Sequence, residues 1–265
     1  WDAEIAALNQ QAPVVLRVNR LKTDVGTLQK SLAEEGFETE SIKGYKDAIQ
    51  LKERGNVFTT TAFKEGFFEV QDASSQLVAP LLQVEPGMRV IDTCAGAGGK
   101  SLHLAAMMDN KGQIIALDIF GNKLKELKRR ARRAGAFNIE TRTIDSTKVI
   151  KKLYNSADRV LIDAPCTGLG VLSRNPDAKW KLQPDFVESI KVKQQELLRS
   201  YSKMVKSGGK LVYATCSILP SENQAQVKEF LTSEEGKEFS LDQQKVVLSS
   251  ESGYDGFFMA LLSKK

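Results

Sequence analysis

Four stretches of this chain share one pattern, an apolar run that stops at a polar tip, and no other feature restricts the fold as much. They are Val90-Ile91-Asp92, Gln113-Ile114-Ile115-Ala116-Leu117-Asp118, Arg159-Val160-Leu161-Ile162-Asp163 and Gly209-Lys210-Leu211-Val212-Tyr213-Ala214-Thr215. Apolar runs of this length, rich in Val, Ile and Leu, read as buried strands of a parallel sheet. From Glu69 onward such strands alternate with helical segments, which predicts a mostly parallel α/β sheet with helices on both faces. Ligands of open α/β sheets bind outside the carboxyl ends of the strands. The polar tips are therefore where chemistry is expected.

Two tips lead to thiols. Asp163-Ala164-Pro165-Cys166 ends one run and Thr215-Cys216 ends another. Most free cysteines are small buried hydrophobes. Finding both at strand ends makes a functional reading the better one, and from these residues alone either thiol can be the nucleophile.

The first run continues into Thr93-Cys94-Ala95-Gly96-Ala97-Gly98-Gly99-Lys100, and Lys100 to Met107 reads as a helix. Glycines at such a turn let the backbone approach a ligand that faces the helix N-terminus. A dinucleotide fingerprint requires glycine where Ser101 stands, and a P-loop requires glycine where Cys94 stands. Both phosphate readings fail, although Gly99-Lys100-Ser101 imitates the second. The remaining ligand is S-adenosyl-L-methionine, whose carboxylate and amine need backbone groups and acids rather than a phosphate cradle. Asp118 lies about twenty residues past the glycines, where an acid can hold two ribose hydroxyls. Thr143-Ile144-Asp145 makes a further apolar-to-acid junction, placing Asp145 to bond an adenine amino group.

These residues resemble a known family. Asp163-Ala164-Pro165-Cys166-Thr167-Gly168, Thr215-Cys216-Ser217 and the Gly98-Gly99-Lys100 loop are together similar to the signature of Sun/Nop-type RNA cytosine-5 methyltransferases. Gln71 to Gln76, Arg174 to Trp180, Pro220-Ser221-Glu222-Asn223 and Asp255-Gly256-Phe257-Phe258 extend the likeness. It spans roughly residues 14 to 263 and is nearest the bacterial 16S ribosomal-RNA branch. One departure is Gly96-Ala97 where the family usually carries Ala-Pro, which should loosen the loop.

The resemblance implies a Rossmann-like class I methyltransferase domain over 69–265, with a mostly parallel seven-stranded sheet. Before it, residues 1–68 would form a small α+β, RNA-recognition-like domain. It implies S-adenosyl-L-methionine held by Cys94, Ala95, Gly96, Ala97, Gly98, Gly99, Lys100, Asp118, Asp145 and Asp163. It further implies that Cys216 attacks C6 of cytosine, while Cys166 assists proton removal and product release. Asp163 would bond the N3/N4 edge of the base, and Lys100 would orient the site and favour thiolate. The expected partner is RNA, specifically ribosomal RNA, and the expected state is a monomer in the cytoplasm. Family members often carry an additional N-terminal helical RNA-binding domain, and none is expected within residues 1–265.

Other chemistries fare poorly. The single histidine, His103, falls on an apolar helical stripe and reads as packing. With it go Ser-His-Asp and Cys-His hydrolase readings, and one His with three scattered Cys gives no zinc spacing. No run approaches the roughly 18 apolar residues of a membrane span. Three dispersed cysteines suit a reducing compartment. A DNA cytosine-5 methyltransferase would place its nucleophile at the Pro-Cys position, which Thr215-Cys216 argues against. A P-loop nucleotidase is more distant still. The other open class is a non-catalytic RNA-binding ribosome assembly factor, against which intact Asp163, Cys166 and Cys216 stand.

The net charge of +5 favours a polyanionic partner only modestly, but its distribution says more. Lys123 to Arg133 holds seven cations and one acid in eleven residues, with Leu124, Leu127 and Ala131 at helical spacing. Phosphate contact and a solvated face explain it equally well. In the loop after Cys166, Arg174, Lys179, Trp180 and Lys181 lie nearer the expected RNA path. Nearer the N-terminus, Val14 to Asn19 predicts a strand, Asp24 to Glu35 a capped helix closed by Gly36, and Ile49 to Lys52 another strand. A long helix is predicted over 184–204, and Val246 to Leu248 with Phe257 to Leu262 as an antiparallel edge pair.

Overall fold

The computed structural model describes every residue, Trp1–Lys265. Its strands form two sheets. The first contains β1 (Val15–Val18), β2 (Thr39–Ser41), β3 (Ala48–Leu51) and β4 (Phe68–Val70) in the order β2-β3-β1-β4. All its pairings are antiparallel. The helix Val25–Glu34 packs Leu28 and Leu32 onto this sheet; Asp24 caps it by accepting from the Thr27 amide at 2.9 Å. The last strand ends at Val70, so this sheet runs two residues past the expected boundary at 68.

The second sheet contains β5 (Arg89–Asp92), β6 (Gln113–Asp118), β7 (Ile139–Thr143), β8 (Ala157–Asp163), β9 (Val205–Thr215), β10 (Phe239–Val247) and β11 (Phe257–Lys264). Their order is β10-β11-β9-β8-β5-β6-β7. Pairings from β9 through β7 are parallel, and β11 runs antiparallel to both β9 and β10. This is the seven-stranded, mostly parallel sheet expected, with the antiparallel pair at one edge. Strand order reverses between β5 and β8, which are neighbours in space although far apart in sequence. A crevice opens at that reversal beyond the strand ends.

Side-chain alternation builds the core. Val90, Ile114, Ala116, Leu161, Val212 and Ala214 enter one buried cluster. Their neighbours Ile91, Ile115, Leu117, Val160, Ile162, Leu211 and Tyr213 enter the other, on the opposite face. Strands buried on both sides can show no polar alternation, which is why these read as continuous apolar runs. The predicted helix over 184–204 ends at Tyr201 and tightens into a short 3-10 turn over Ser202–Met204. The strand after it begins at Val205 rather than Gly209, because Val205 pairs with Ala157.

The basic helix, Gly121–Ala134, buries Leu124, Leu127, Ala131 and Ala134, as its spacing predicts. Two of its cations are committed to structure. Arg130 and Arg133 both pair with Glu69 of β4, at 2.8 and 2.6 Å, and Glu69 is almost fully buried. Arg17 of β1 adds a second tie by donating to the Gly99 carbonyl at 2.5 Å. Removing a buried carboxylate strands the cations facing it. Glu69→Ala is expected to lower unfolding free energy by about 2–3 kcal/mol, the arginines being partly solvated. Denaturant unfolding checks this; a change within about 0.5 kcal/mol, typical of an ordinary surface position, would contradict it.

Candidate active site

The glycine turn after β5 is shaped by a requirement for glycine at 98. Gly98 has φ of +88°, and a Cβ there would lie 2.4 Å from Leu127 Cγ. Chain direction therefore changes tightly against the basic helix, and the helix Gly99–Met107 begins at once. Beneath the turn Asp92 is buried and accepts from the Ser101 hydroxyl at 2.6 Å; burial pushes its carboxyl up to about 7. Asp118, at the tip of β6, accepts the Gly96 amide at 2.8 Å and the Phe120 amide at 2.8 Å. It thus fixes the outer half of the turn while leaving acceptor capacity on each oxygen.

A cavity of about 680 Å³ opens above these strand ends. Thr93, Cys94, Ala95, Gly96 and Ala97 form its floor, with Asp118 and Asp163 among the acidic groups on its wall. Ile119, Phe120, Ile144, Leu197 and Tyr201 supply apolar and aromatic surface. A cavity of this size and mixed character suits a nucleoside-sized ligand.

Beside it the two thiols meet. Cys166 Sγ lies 3.3 Å from Cys216 Sγ, and both residues are half-buried. Each loop is packed on the other: the Gly170 amide donates to the Cys216 carbonyl at 2.9 Å, and a Cβ on Gly170 would clash with Gly256. The hydrogen bond from Cys166 holds the Cys216 thiol below the ordinary cysteine range, with Lys100 adding to that effect. The same bond, together with burial, pushes Cys166 well above it. The two thiols are thus biased in opposite directions, Cys216 toward the thiolate and Cys166 toward the protonated thiol.

Lys100 Nζ pairs with Asp163 Oδ2 at 2.7 Å and lies 5.0 Å from the Phe257 ring centroid. Asp163 thus touches the cavity on one side and the lysine on the other. Four groups expected to act together, Cys216, Cys166, Asp163 and Lys100, are brought into one cluster at the ends of β8, β9 and the glycine turn.

Not every expected residue joins them. Asp145 is exposed beyond the end of β7, with its carboxylate accepting from the Ser146 hydroxyl; the neighbouring Ile144 and Thr147 line the cavity instead. The strand stops at Thr143, so the apolar-to-acid junction read from the sequence is offset. Gly98 and Gly99 back onto Leu127 and Gln71 rather than the cavity. Burial pushes the Cys94 thiol up, which suits a lining residue and not a nucleophile. His103 is buried in its helix and held well below the usual histidine range by burial, as a packing residue should be. Arg174 joins Asp255 at 2.7 Å and Asp72 at 2.9 Å, bracing its loop. Trp180 stands 79% exposed, with the Lys179 ammonium 5.6 Å from its ring centroid. No group of three or more His, Cys, Asp and Glu is arranged to hold a metal, and no helix is long and apolar enough to cross a membrane.

Residues 79–263 match the family described as 16S rRNA methyltransferase RsmB/F. The chain belongs to that family. Residues 1–58 match the ferredoxin-like domain described for RsmF/B-like methyltransferases, in keeping with the antiparallel first sheet. A probable ribosomal RNA small subunit methyltransferase B of Synechocystis is 37% identical over 98% of this chain and 62% of its own length. Its Bacillus subtilis counterpart is 36% identical over 94% of this chain and 59% of its own. The chain thus spans about three fifths of these relatives. A methyltransferase homologue from Pyrococcus horikoshii superposes with a TM-score of 0.87 at 28% identity, covering 99% of this chain and 90% of that one. NSun6 from the same organism, solved with SFG, superposes at 0.90 and 20% identity, covering 99% and 94%, and shares the fold.

Part of the cavity of this RsmB/F family member was not legible in the sequence. The apolar cavity wall from Leu197 and Tyr201 comes from the helix Pro184–Tyr201, whose pattern carries no sign of a ligand. Ile119 and Phe120, exposed and directly after Asp118, were available as a signal.

Proposed function

We propose that this protein transfers a methyl group from S-adenosyl-L-methionine to C5 of a cytosine in 16S ribosomal RNA, with Cys216 as covalent nucleophile. The observation that carries the reading is the 3.3 Å thiol pair standing beside the Lys100–Asp163 pair. One thiol serves hydrolysis or redox-neutral acylation; two in contact suit a reaction that needs both a nucleophile and a proton acceptor. The cavity fits the donor: its volume is right, Asp118 retains lone pairs for ribose hydroxyls, and Phe120 and Ile144 offer apolar faces to a base. When bound, S-adenosyl-L-methionine supplies an electrophilic methyl group.

C5 of cytosine is a weak nucleophile. The Cys216 thiolate adds at C6, forming the S–C6 bond, and ring electrons move toward N3 while Asp163 bonds the N3/N4 edge. C5 becomes enamine-like and accepts the methyl group. Cys166 delivers its own proton to N3 as that nitrogen gains the ring electrons and then, as a thiolate, takes the C5 proton. The S–C6 bond breaks with its electron pair returning to Cys216, N3 loses its proton to water, and aromaticity returns. Lys100 balances the Asp163 charge and favours the Cys216 thiolate. A base within a structured RNA must leave its stack first, costing a few kcal/mol. Of the exposed cations of the basic helix, Lys125, Lys128 and Arg132 have no ion-pair partner and are available to contact phosphate, while Arg129 pairs with Glu126 at 2.8 Å.

The test is transfer of labelled methyl to unmethylated small-subunit RNA, followed by digestion to nucleosides. Label in 5-methylcytidine is expected; label in any other nucleoside overturns the reading. Asp118→Ala should weaken donor binding by about 10- to 100-fold, equivalent to losing charge-assisted hydrogen bonds worth roughly 1.5–3 kcal/mol. Calorimetry measures this, and unchanged affinity would remove Asp118 from the donor site.

A further inference from the structure

The two cysteine loops are joined through a residue that touches neither thiol. Glu222 is completely buried, and its carboxylate accepts the Thr167 amide at 2.9 Å, the Thr167 hydroxyl at 2.5 Å and Gln194 Nε2 at 3.0 Å. It also accepts the Ser217 hydroxyl. Thr167 directly follows Cys166 and Ser217 directly follows Cys216. Gln194, from the long helix, also donates to the Pro165 carbonyl at 3.0 Å, so the first loop is held from a third side. The Glu222 carbonyl in turn accepts from Tyr213 of β9 at 2.8 Å.

All four donors, one backbone amide and three side chains, are uncharged. Burying a carboxylate without a cation is costly, and only a full set of donors offsets it. An acceptor-only group at this point demands that every group around it be a donor, which fixes the orientation of both loops together. Loosening either loop would leave a buried charge short of a donor. The thiol spacing of 3.3 Å is thereby tied to Glu222.

We propose that Glu222 is the positioning residue of the thiol pair, setting how fast Cys166 can resolve the adduct formed by Cys216. This rests on the covalent reading above. The isosteric Glu222→Gln keeps one acceptor oxygen: with that oxygen toward the Thr167 amide and Gln194, its amide nitrogen faces the Thr167 and Ser217 hydroxyls, which must turn from donors into acceptors. With both cysteines intact, it is expected to accumulate RNA–protein adduct at least tenfold over the parent on a denaturing gel. Turnover should fall by a similar factor while donor affinity stays unchanged. Glu222→Asp, still acceptor-only, should release adduct faster than Glu222→Gln. A merely structural residue would lower Tm without changing adduct level per folded molecule.

A second readout does not depend on catalysis. Phenylarsine oxide bridges two adjacent thiols, forming two S–As bonds and releasing water. Capture across Cys166 and Cys216, followed by mass spectrometry, should be several-fold slower in Glu222→Gln. If no variant or parent forms adduct yet capture slows, the covalent reading fails and the positioning role stands. Release and capture at the parental rate overturn the positioning role, as does a Glu222→Gln protein that neither forms adduct nor turns over. Should that variant not fold, Thr167→Val combined with Ser217→Ala removes two donors and keeps the carboxylate. It should accumulate adduct likewise, and parental release from it would equally overturn the proposal.

Discussion

Cys216→Ala is expected to reduce methyl transfer at least about a thousandfold and to form no covalent RNA complex, since loss of a covalent nucleophile removes the whole route. Donor binding should persist, because Cys216 does not line the cavity that would hold the donor. The neighbouring Cys166 cannot substitute. Its thiol is pushed up by the bond to Cys216 and by burial, which disfavours the thiolate that attack requires. Steady-state rates with calorimetric donor affinity check this. Retained turnover would mean that Cys216 is not the attacking group.

Cys166→Ala is expected to fail later in the cycle. Addition at C6 needs the thiolate and a proton at N3 that water can also supply, whereas release needs a group to take the C5 proton, and losing such a group typically costs about 10²–10⁴-fold. Adduct should therefore build up on a denaturing gel while turnover falls by that order. The pH dependence supplies an independent check. In the parent, the hydrogen bond from Cys166 favours the Cys216 thiolate and keeps its ionisation below the ordinary range. Removing a donor to the charged form raises that pKa. The rate of adduct formation should consequently rise with pH in both proteins, with the Cys166→Ala curve displaced to higher pH. A displacement to lower pH, or none, would contradict the assignment of donor and acceptor.

Much of this could be read from residues in order, and the reasons are specific. The parallel sheet announced itself because Val90–Asp92, Gln113–Asp118 and Arg159–Asp163 are buried on both faces, leaving apolar runs with no alternation. Asp163 and the thiols were legible because they stand at or just past the ends of β8 and β9, and Lys100 because it opens the helix that follows the glycine turn after β5. Asp145 shows the limit of that argument. One extra loop residue after Thr143 carries the carboxylate to solvent, and a single-residue offset is invisible in a run as short as Ile139–Thr143. The dual commitment of the basic helix was also hidden. Its cations look equivalent in sequence, yet Arg130 and Arg133 face Glu69 across the join between the sheets, a partner sixty or so positions away. Glu222 was quoted only as part of a motif. Its role depends on Thr167, Gln194 and Ser217 converging from three elements, which spacing does not encode.

RNA carrying 5-fluorocytosine tests the central claim most directly. Fluorine at C5 cannot leave as a proton, so an enzyme that adds at C6 and methylates C5 is trapped on its substrate. Protease digestion and mass spectrometry of the trapped complex should find the methylated, fluorinated nucleotide attached to the peptide containing Cys216. Attachment at Cys166, or continued turnover on fluorinated RNA without any covalent complex, would contradict the account.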